Sequence, residues 1–151
     1  MKRVSTIYAL LLTATIAVLE VGRGRDAVAA NEAGFVVIVN PDNSTSEVDR
    51  AFLRDAFLRK ISRWGNGETI KPIDLSRRFA AREQFAREVL KKSLPQLKRY
   101  WSQQIFSGKG VPPPESDSEK ALISYVLANR GAIGYLPAGS DPGGAKVVKV
   151  K

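Results

Sequence analysis

The chain has 151 residues, a net charge of +9 and neither histidine nor cysteine. This length allows one domain of ordinary size, which packing must stabilise without disulfides. Without imidazole or thiol groups the protein cannot build a Ser-His or Cys-His nucleophile pair, or a thiolate or imidazole zinc site. We expect neither an enzyme nor a metal or cofactor site. Catalysis by paired carboxylates would remain, but the acidic residues are dispersed over predicted helices.

The first residues have the pattern of a secretory signal. Lys2 and Arg3 give a positive start, residues 7–19 form an apolar run, and Ala27 and Ala29 have the spacing that signal peptidase requires. The apolar run is too short to span a bilayer comfortably. A charged stretch, EVGRGRD, separates the run from the cleavage site, so an uncleaved membrane anchor is the alternative.

This pattern predicts a signal peptide over residues 1–29, with cleavage near Ala29 and Ala30. Residues 30–151 then form a single mature domain, which is periplasmic or secreted. Such a protein contacts a membrane only through its leader or through a partner. The basic balance of the chain suits anionic partners in general.

The first part of the predicted mature chain indicates a strand followed by a helix. GFVVIVN (residues 34–40) is a continuous run rich in β-branched residues, typical of a strand covered on both faces. Ser46 is the expected N-cap of the next helix, which extends to about Leu58 with an apolar stripe at helical spacing. GNG at residues 65–67 then predicts a turn.

The middle of the chain predicts a second strand and two helices. The strand is TIKPID (residues 69–74), in which Pro72 indicates an edge strand or a strand end. One helix is expected over residues 78–92. Another begins at Ser93, where SLPQ has the pattern of a capping box with proline in the first turn.

The C-terminal part predicts a helix between two strands. Ser116 and Glu119 mark the start of the helix, which ends before Gly131. AIGYLP is the next strand, and KVVKVK is expected as a last edge strand, where lysines would oppose pairing with other chains. Strands that alternate with helices predict an α/β domain with a mainly parallel sheet.

The turn after the second strand is the candidate binding site. Ser76, Arg77 and Arg78 stand where the helix would begin, and N–H groups, a hydroxyl and two guanidinium groups could hold an oxyanion there. The alternative is an N-cap serine followed by two solvated arginines, although arginines in a first turn oppose the helix dipole. Asp74 could contact a protonated anion or close the turn, and Asn40 could contact a ligand beyond the first strand or form a turn.

Basic residues occur in doublets on several predicted elements rather than on one face. Nucleic acid would require them along one face, so we expect no nucleic-acid partner and interpret most of them as solvated. Trp101 lies in an apolar helical stripe and is interpreted as core packing rather than as a stacking surface for a ligand. The basic residues considered are Arg59, Lys60, Arg63, Arg77, Arg78, Arg82, Lys91, Lys92, Lys98 and Arg99.

Three segments, in this order, resemble the substrate-binding proteins of phosphate ABC transporters, which have the type II periplasmic binding protein fold. The segments are VVIVN ending in Val39-Asn40, AFLRKISRW with Phe57, Lys60, Ile61 and Trp64, and GAIGY over residues 131–135. The resemblance covers nearly all of the mature chain. It implies one three-layer α/β/α lobe with a mainly parallel sheet, where the family has two lobes.

The resemblance also places the candidate site. The family encircles phosphate with an arginine, an acid and Ser-Gly-Thr at a helix start. In this sequence Leu75 falls at the arginine, Arg77 at the acid and residues 79–81 at Ser-Gly-Thr. Ser76 is the match of residue type, and Asp74 could accept a protonated phosphate as an acid does in the family. The resemblance therefore implies the location of an anion site with altered chemistry.

Two functions follow from the sequence and its resemblance. The first is an exported solute-binding module that binds phosphate or another small oxyanion and has an ABC transporter or another envelope protein as its partner. The alternative is an interaction or accessory protein of an envelope transport or sensing complex that has lost its small ligand.

Overall fold

Seven strands and four helices make up residues 34–151, the part of the chain that the computed structural model describes. The predicted signal peptide, its cleavage site and the first residues of the predicted mature domain lie outside the described residues. Within residues 34–151, no helix is both long and apolar enough to cross a membrane.

Strands and helices follow one another along the chain, as the sequence predicts for an α/β protein. The strands are β1 (Phe35–Val39), β2 (Glu47–Val48), β3 (Lys71–Pro72), β4 (Asp74–Leu75), β5 (Glu115–Ser116), β6 (Ala132–Pro137) and β7 (Lys146–Val150). The helices are α1 (Arg50–Phe57), α2 (Ala80–Glu88), α3 (Leu94–Phe106) and α4 (Glu119–Ala128).

Five strands form a mixed sheet in the order β2-β7-β1-β6-β3. The central strand β1 is antiparallel to both neighbours, pairing Val37 with Tyr135 of β6 and with Val148 of β7. The parallel pairs, β2 with β7 and β3 with β6, involve only two residues of each strand. The prediction of a mainly parallel sheet is therefore wrong. Alternation of strands and helices does not fix strand direction here, because all four helices lie between the long strands β1 and β6, and no helix separates β6 from β7.

Helices contact both faces of the sheet. On one face, the rings of Tyr135 from β6 and Phe85 from α2 stack with centroids 4.0 Å apart, and Phe57 from α1 lies 4.8 Å from Phe85. On the other face, α4 lies so close to β6 that a Cβ at Gly134 would be 2.9 Å from Leu122 Cδ2. β1 and β6 are accordingly buried on both faces, as the apolar run at residues 34–40 predicts.

A second, two-stranded sheet positions the candidate site. β4 and β5 pair in parallel, so that Asp74 lies opposite Glu115 and Leu75 opposite Ser116. β4 follows β3 after a single residue, which ties this small sheet to the edge of the large one. The single strand predicted over residues 69–74 is thus split between two sheets.

The helix starts that the sequence predicts are partly confirmed by the structure. The capping box at Ser93 is confirmed, with Gln96 N donating to Ser93 Oγ and Ser93 N donating to Gln96 Oε1. The predicted start at Ser46 is wrong because residues 47–48 pair with β7, and α1 begins after its N-cap Asp49. The start at Ser116 is likewise wrong, since Ser118 caps α4.

One of the two predicted edge strands of the five-stranded sheet is confirmed and the other is wrong. Pro72 lies in β3, an edge strand of the five-stranded sheet, as predicted. β7 is not an edge strand, because the two residues of β2 pair with its outer side. This short pairing depends on the segment after β1, and the β7 sequence itself gives no sign of it.

Candidate functional site

The candidate site is built at the end of β4, where the chain turns into α2. Asp74 N donates to Pro114 O and Ser76 N donates to Ser116 O, each at 2.9 Å, so the segment is held against residues 114–116. A turn closed by Phe79 N donating to Ser76 O at 3.2 Å leads into the helix. The backbone of the site is therefore fixed on both sides of Leu75.

Asp74 is a buried carboxylate between a hydroxyl and a guanidinium group. Its side chain is only 5% exposed. The hydroxyl of Tyr135 donates to Asp74 Oδ1, and Arg82 Nη1 lies 3.0 Å from Asp74 Oδ2. Tyr135 also packs on Phe85, so the aromatic core fixes one of the two contacts that hold the carboxylate. The side chain of Asp74 therefore contacts both Arg82 and Tyr135.

Burial dominates the titration of this group. Loss of hydration raises the pKa of Asp74 from 3.8 to about 6, although the charge of Arg82 and the hydrogen bond from Tyr135 favour the ionised form and lower the pKa. The nearby charge of Glu115 also disfavours the ionised form and contributes to this value of the pKa. Burial, together with the Asp74 charge, also raises the pKa of the Tyr135 hydroxyl well above its usual value. At neutral pH, Asp74 is mostly ionised and Tyr135 is protonated.

Arg82 is the principal residue that the sequence interpretation missed. It is buried, with 7% of its surface exposed, so its assignment to a solvated helix face is wrong. Its Nη2 atom lies 3.6 Å from Glu115 Oε1, and its Nη1 atom pairs with Asp74 without making an aligned hydrogen bond. The spacing Arg82, Phe85 and Val89 places the charge on the apolar stripe of α2, which is the sequence signal that could have found it.

Arg82 and Asp74 face a cavity of about 640 Å³ between α3 and the β4–β5 segment. The cavity is lined both by charged side chains and by apolar side chains of α3 and residues 112–113. The lining residues are Asp74, Arg77, Arg82, Leu94, Pro95, Leu97, Lys98, Trp101, Ser102, Ile105, Pro112, Pro113 and Glu115.

The predicted residues Ser76, Arg77 and Arg78 occupy different environments. Ser76 is buried, and its hydroxyl has no hydrogen-bond partner among the described residues. Arg77 is exposed and lines the cavity, whereas Arg78 is exposed and does not line it. The alternative interpretation of Ser76 as an N-cap is wrong, because Phe79 is the N-cap of α2 and provides no side-chain hydrogen bond to the helix.

Asn40 lies apart from this cavity lining. Its amide donates to Val126 O at 2.9 Å and to Leu127 O at 3.0 Å, near the C-terminal end of α4, and its Oδ1 accepts from Asp42 N. The side chain thus connects β1 to α4 and closes a turn. The structure brings Asp74, Ser76 and Arg77 together, but it does not bring Asn40 to them.

The acidic groups near the site do not form a metal-binding cluster. In the described part of the chain, no three acidic side chains are grouped so that they could hold a metal ion. The site instead combines the buried pair of Asp74 and Arg82 with Glu115, Arg77 and Lys98 on the cavity lining, and the buried hydroxyl of Ser76 lies in the adjoining turn. This set offers N–H and O–H donors, which suit an anion better than a cation.

Comparison with known proteins identifies the fold. Solved structures with a similar fold include a Clostridium perfringens protein assigned to the phosphate ABC transporter substrate-binding proteins and solved with bound phosphate (TM-score 0.60, 21% identity). An ABC-type phosphate transport receptor from Vibrio cholerae (0.55, 16%) and PstS from Borrelia burgdorferi (0.60, 11%) are also similar. Each alignment covers 78% of this chain, and 44%, 46% and 47% of those proteins respectively.

The protein therefore has the fold found in phosphate ABC transporter substrate-binding proteins, over less than half of their length. The resemblance inferred from the sequence is confirmed at this level. Neither a protein-family model nor a curated protein matches the sequence significantly. At these low identities the likeness defines the fold, and the ligand must be argued from the site.

Proposed function

We propose that the protein is an exported solute-binding module that holds phosphate or another small oxyanion in the cavity beside β4 and α2. The observation that carries the proposal is the buried guanidinium of Arg82 at the cavity, with one donor atom left without an aligned hydrogen bond. Arg82 is paired with Asp74 and Glu115, and a buried charge that also faces a cavity is typical of a functional group.

Several donors near Arg82 support an anion as the ligand. The exposed guanidinium of Arg77 lines the same cavity, and guanidinium groups bind phosphate oxygens through paired N–H donors. The unpartnered hydroxyl of Ser76 and the first N–H groups of α2, which no side chain caps, belong to the turn that carries Arg77, although Ser76 and residues 80–81 do not line the cavity. Arg78, which is exposed and follows Arg77 in the sequence, adds positive charge to this turn.

Asp74 gives the proposed site a dependence on protonation. While ionised, the carboxylate neutralises Arg82 and repels an anion. Once protonated, it leaves the guanidinium free and can itself donate a hydrogen bond. Because the pKa of Asp74 is about 6, the proposed site should bind a non-titrating anion such as sulfate more tightly at pH 5 than at pH 8.

Calorimetric titration with phosphate and with sulfate tests the proposal. We expect heat of binding at millimolar ligand or below, and Arg77→Ala should weaken binding by roughly tenfold or more, since a charged hydrogen bond contributes about 1.5–3 kcal/mol. The matched control is Arg99→Ala, which removes an exposed charge from α3 that does not line the cavity. Absence of heat, or equal effects of the two variants, would contradict the proposal.

The proposal implies binding without catalysis, because the similar solved structures are described as binding and transport proteins. It also places the mature protein outside the cytoplasm, on the strength of the leader pattern in residues 1–29. N-terminal sequencing of the exported protein should find a start near Ala30. A start at Met1 would support the uncleaved anchor instead.

An interaction protein is the second candidate, and an apolar surface favours it. Ile105, Phe106 and Val111 are 54%, 96% and 61% exposed, around the end of α3. Neighbouring exposed apolar side chains mark protein-binding surfaces. If a partner in an envelope transport or sensing complex binds here, Phe106→Ser should abolish its co-purification from membranes. Unchanged co-purification would exclude this surface.

A further inference from the structure

The cavity at the proposed anion site is larger and more apolar than an inorganic oxyanion needs. Its volume is about 640 Å³, within the range of sites for organic ligands. Six of its lining residues are proline, leucine or isoleucine, whose side chains have no polar atom to offer a phosphate: Leu94, Pro95, Leu97, Ile105, Pro112 and Pro113. Phosphate alone would leave this apolar wall in contact with water.

The apolar wall is continuous along α3. Leu94, Leu97, Trp101 and Ile105 follow one another at helical spacing and therefore share one face of the helix. At a rise of 1.5 Å per residue, the stripe from Leu94 to Ile105 extends for roughly 16 Å. Leu97 and Trp101 are buried, whereas Ile105 is more than half exposed. The stripe thus runs from the core to solvent.

Charged residues line the same cavity, and those without an ion-pair partner within residues 34–151 are cations, which would bind an anion. The carboxylates of Asp74 and Glu115 are both near Arg82, at 3.0 and 3.6 Å. Arg77 and Lys98 line the cavity as well, and neither has an ion-pair partner among the described residues. The lining therefore offers two free cations beside a long apolar wall.

We propose that the ligand is an organic anion, in which a phosphate, sulfate or carboxylate group is joined to an apolar or aromatic body. The acidic group contacts Arg77 and Arg82, and the body packs on the α3 wall, with Trp101 as its aromatic surface. The proposal rests on the function proposed above and specifies its substrate class. It also gives Trp101 a second role, since its ring both packs in the core and faces the cavity.

Titration of the full chain with three probes at about pH 5, where the proposed site binds anions more tightly, tests this inference. Phosphate supplies the acidic group, phenol supplies the body, and phenyl phosphate supplies both. Burial of an aromatic ring contributes more than the 1.4 kcal/mol that corresponds to tenfold in affinity, so phenyl phosphate should bind at least tenfold more tightly than phosphate. Benzoate in a fourth titration distinguishes a carboxylate from a phosphate headgroup.

A pair of neighbouring substitutions locates the apolar contact. Ile105→Ser should weaken binding of phenyl phosphate several-fold and leave binding of phosphate unchanged, because Ile105 lines the cavity. Phe106→Ser is the matched control, since Phe106 is 96% exposed and does not line the cavity. Both positions are exposed, so neither change removes a core contact.

The outcomes separate this inference from the proposed function. Tighter binding of phenyl phosphate that depends on Ile105 supports the inference. If phosphate and phenyl phosphate bind equally, or if Ile105→Ser affects neither, the inference is overturned while the oxyanion function stands. If neither probe binds, both are overturned. Binding of phenyl phosphate without measurable binding of phosphate supports the organic anion and rejects inorganic phosphate as the ligand.

Discussion

Replacing Arg82 with methionine is expected to lower the free energy of unfolding by about 3–5 kcal/mol at pH 8. Methionine preserves much of the aliphatic packing of the arginine, but it leaves the buried carboxylate of Asp74 without its cation. Loss of one partner from a buried ion pair is costly because the other charge remains desolvated. Urea unfolding followed by fluorescence of the two tryptophans measures the change.

The same experiment at pH 5 separates charge from packing. Without Arg82 the pKa of Asp74 rises beyond about 6, so the carboxyl group is neutral at pH 5 and the cost should be much smaller. Arg87→Met is the matched control on the same helix, because Arg87 pairs with Glu83 at the surface, with 67% and 52% of their side chains exposed. We expect less than about 1 kcal/mol there. A cost at Arg82 that does not depend on pH would contradict the ion-pair explanation.

Replacing Asp74 with asparagine should change the pH dependence of stability by about 3 kcal/mol. The folded-state pKa of Asp74 is about 6, against 3.8 in the unfolded chain, so the folded protein binds this proton more tightly. Stability contributed by the group is present below about pH 4 and is lost as the pH rises through 6. Two pKa units correspond to about 3 kcal/mol.

The relevant measurement is the difference in unfolding free energy between the Asp74→Asn variant and the unchanged protein across that range. Between about pH 4 and pH 7 the free energy of unfolding of the variant should rise relative to that of the unchanged protein, whatever the difference at pH 4, because asparagine does not titrate. Other carboxyl groups titrate equally in both proteins and cancel. A gain by the unchanged protein over this range would show that the attraction to Arg82 exceeds the cost of burial.

Local signals in the sequence predicted those parts of the fold that depend on neighbouring residues. The capping box at Ser93 and the buried run of β1 depend on side chains a few positions apart, and both are confirmed. Strand direction depends instead on long connections. β2 formed where Ser46 predicted a helix start, because residues 47–48 pair with β7, a hundred residues further along the chain.

The candidate site divides in the same way. Asp74, Ser76 and Arg77 are close in sequence, and helix-terminus chemistry together with the resemblance placed them in one site. Tyr135 and Glu115 reach Asp74 and Arg82 only through tertiary structure, and no local pattern marks them. The apolar stripe of α3 is evident from the sequence of the helix. That sequence does not show that the stripe also lines a cavity.

The central claim is that an anion binds between the end of β4, the start of α2 and α3. Titration with phosphate followed by amide NMR tests it most directly, with sodium chloride at equal ionic strength as the control. We predict that the shift changes concentrate in residues 74–82 and 94–105. Changes concentrated instead in residues 40–45 beyond β1, or no changes beyond those caused by sodium chloride at millimolar phosphate, would contradict the account.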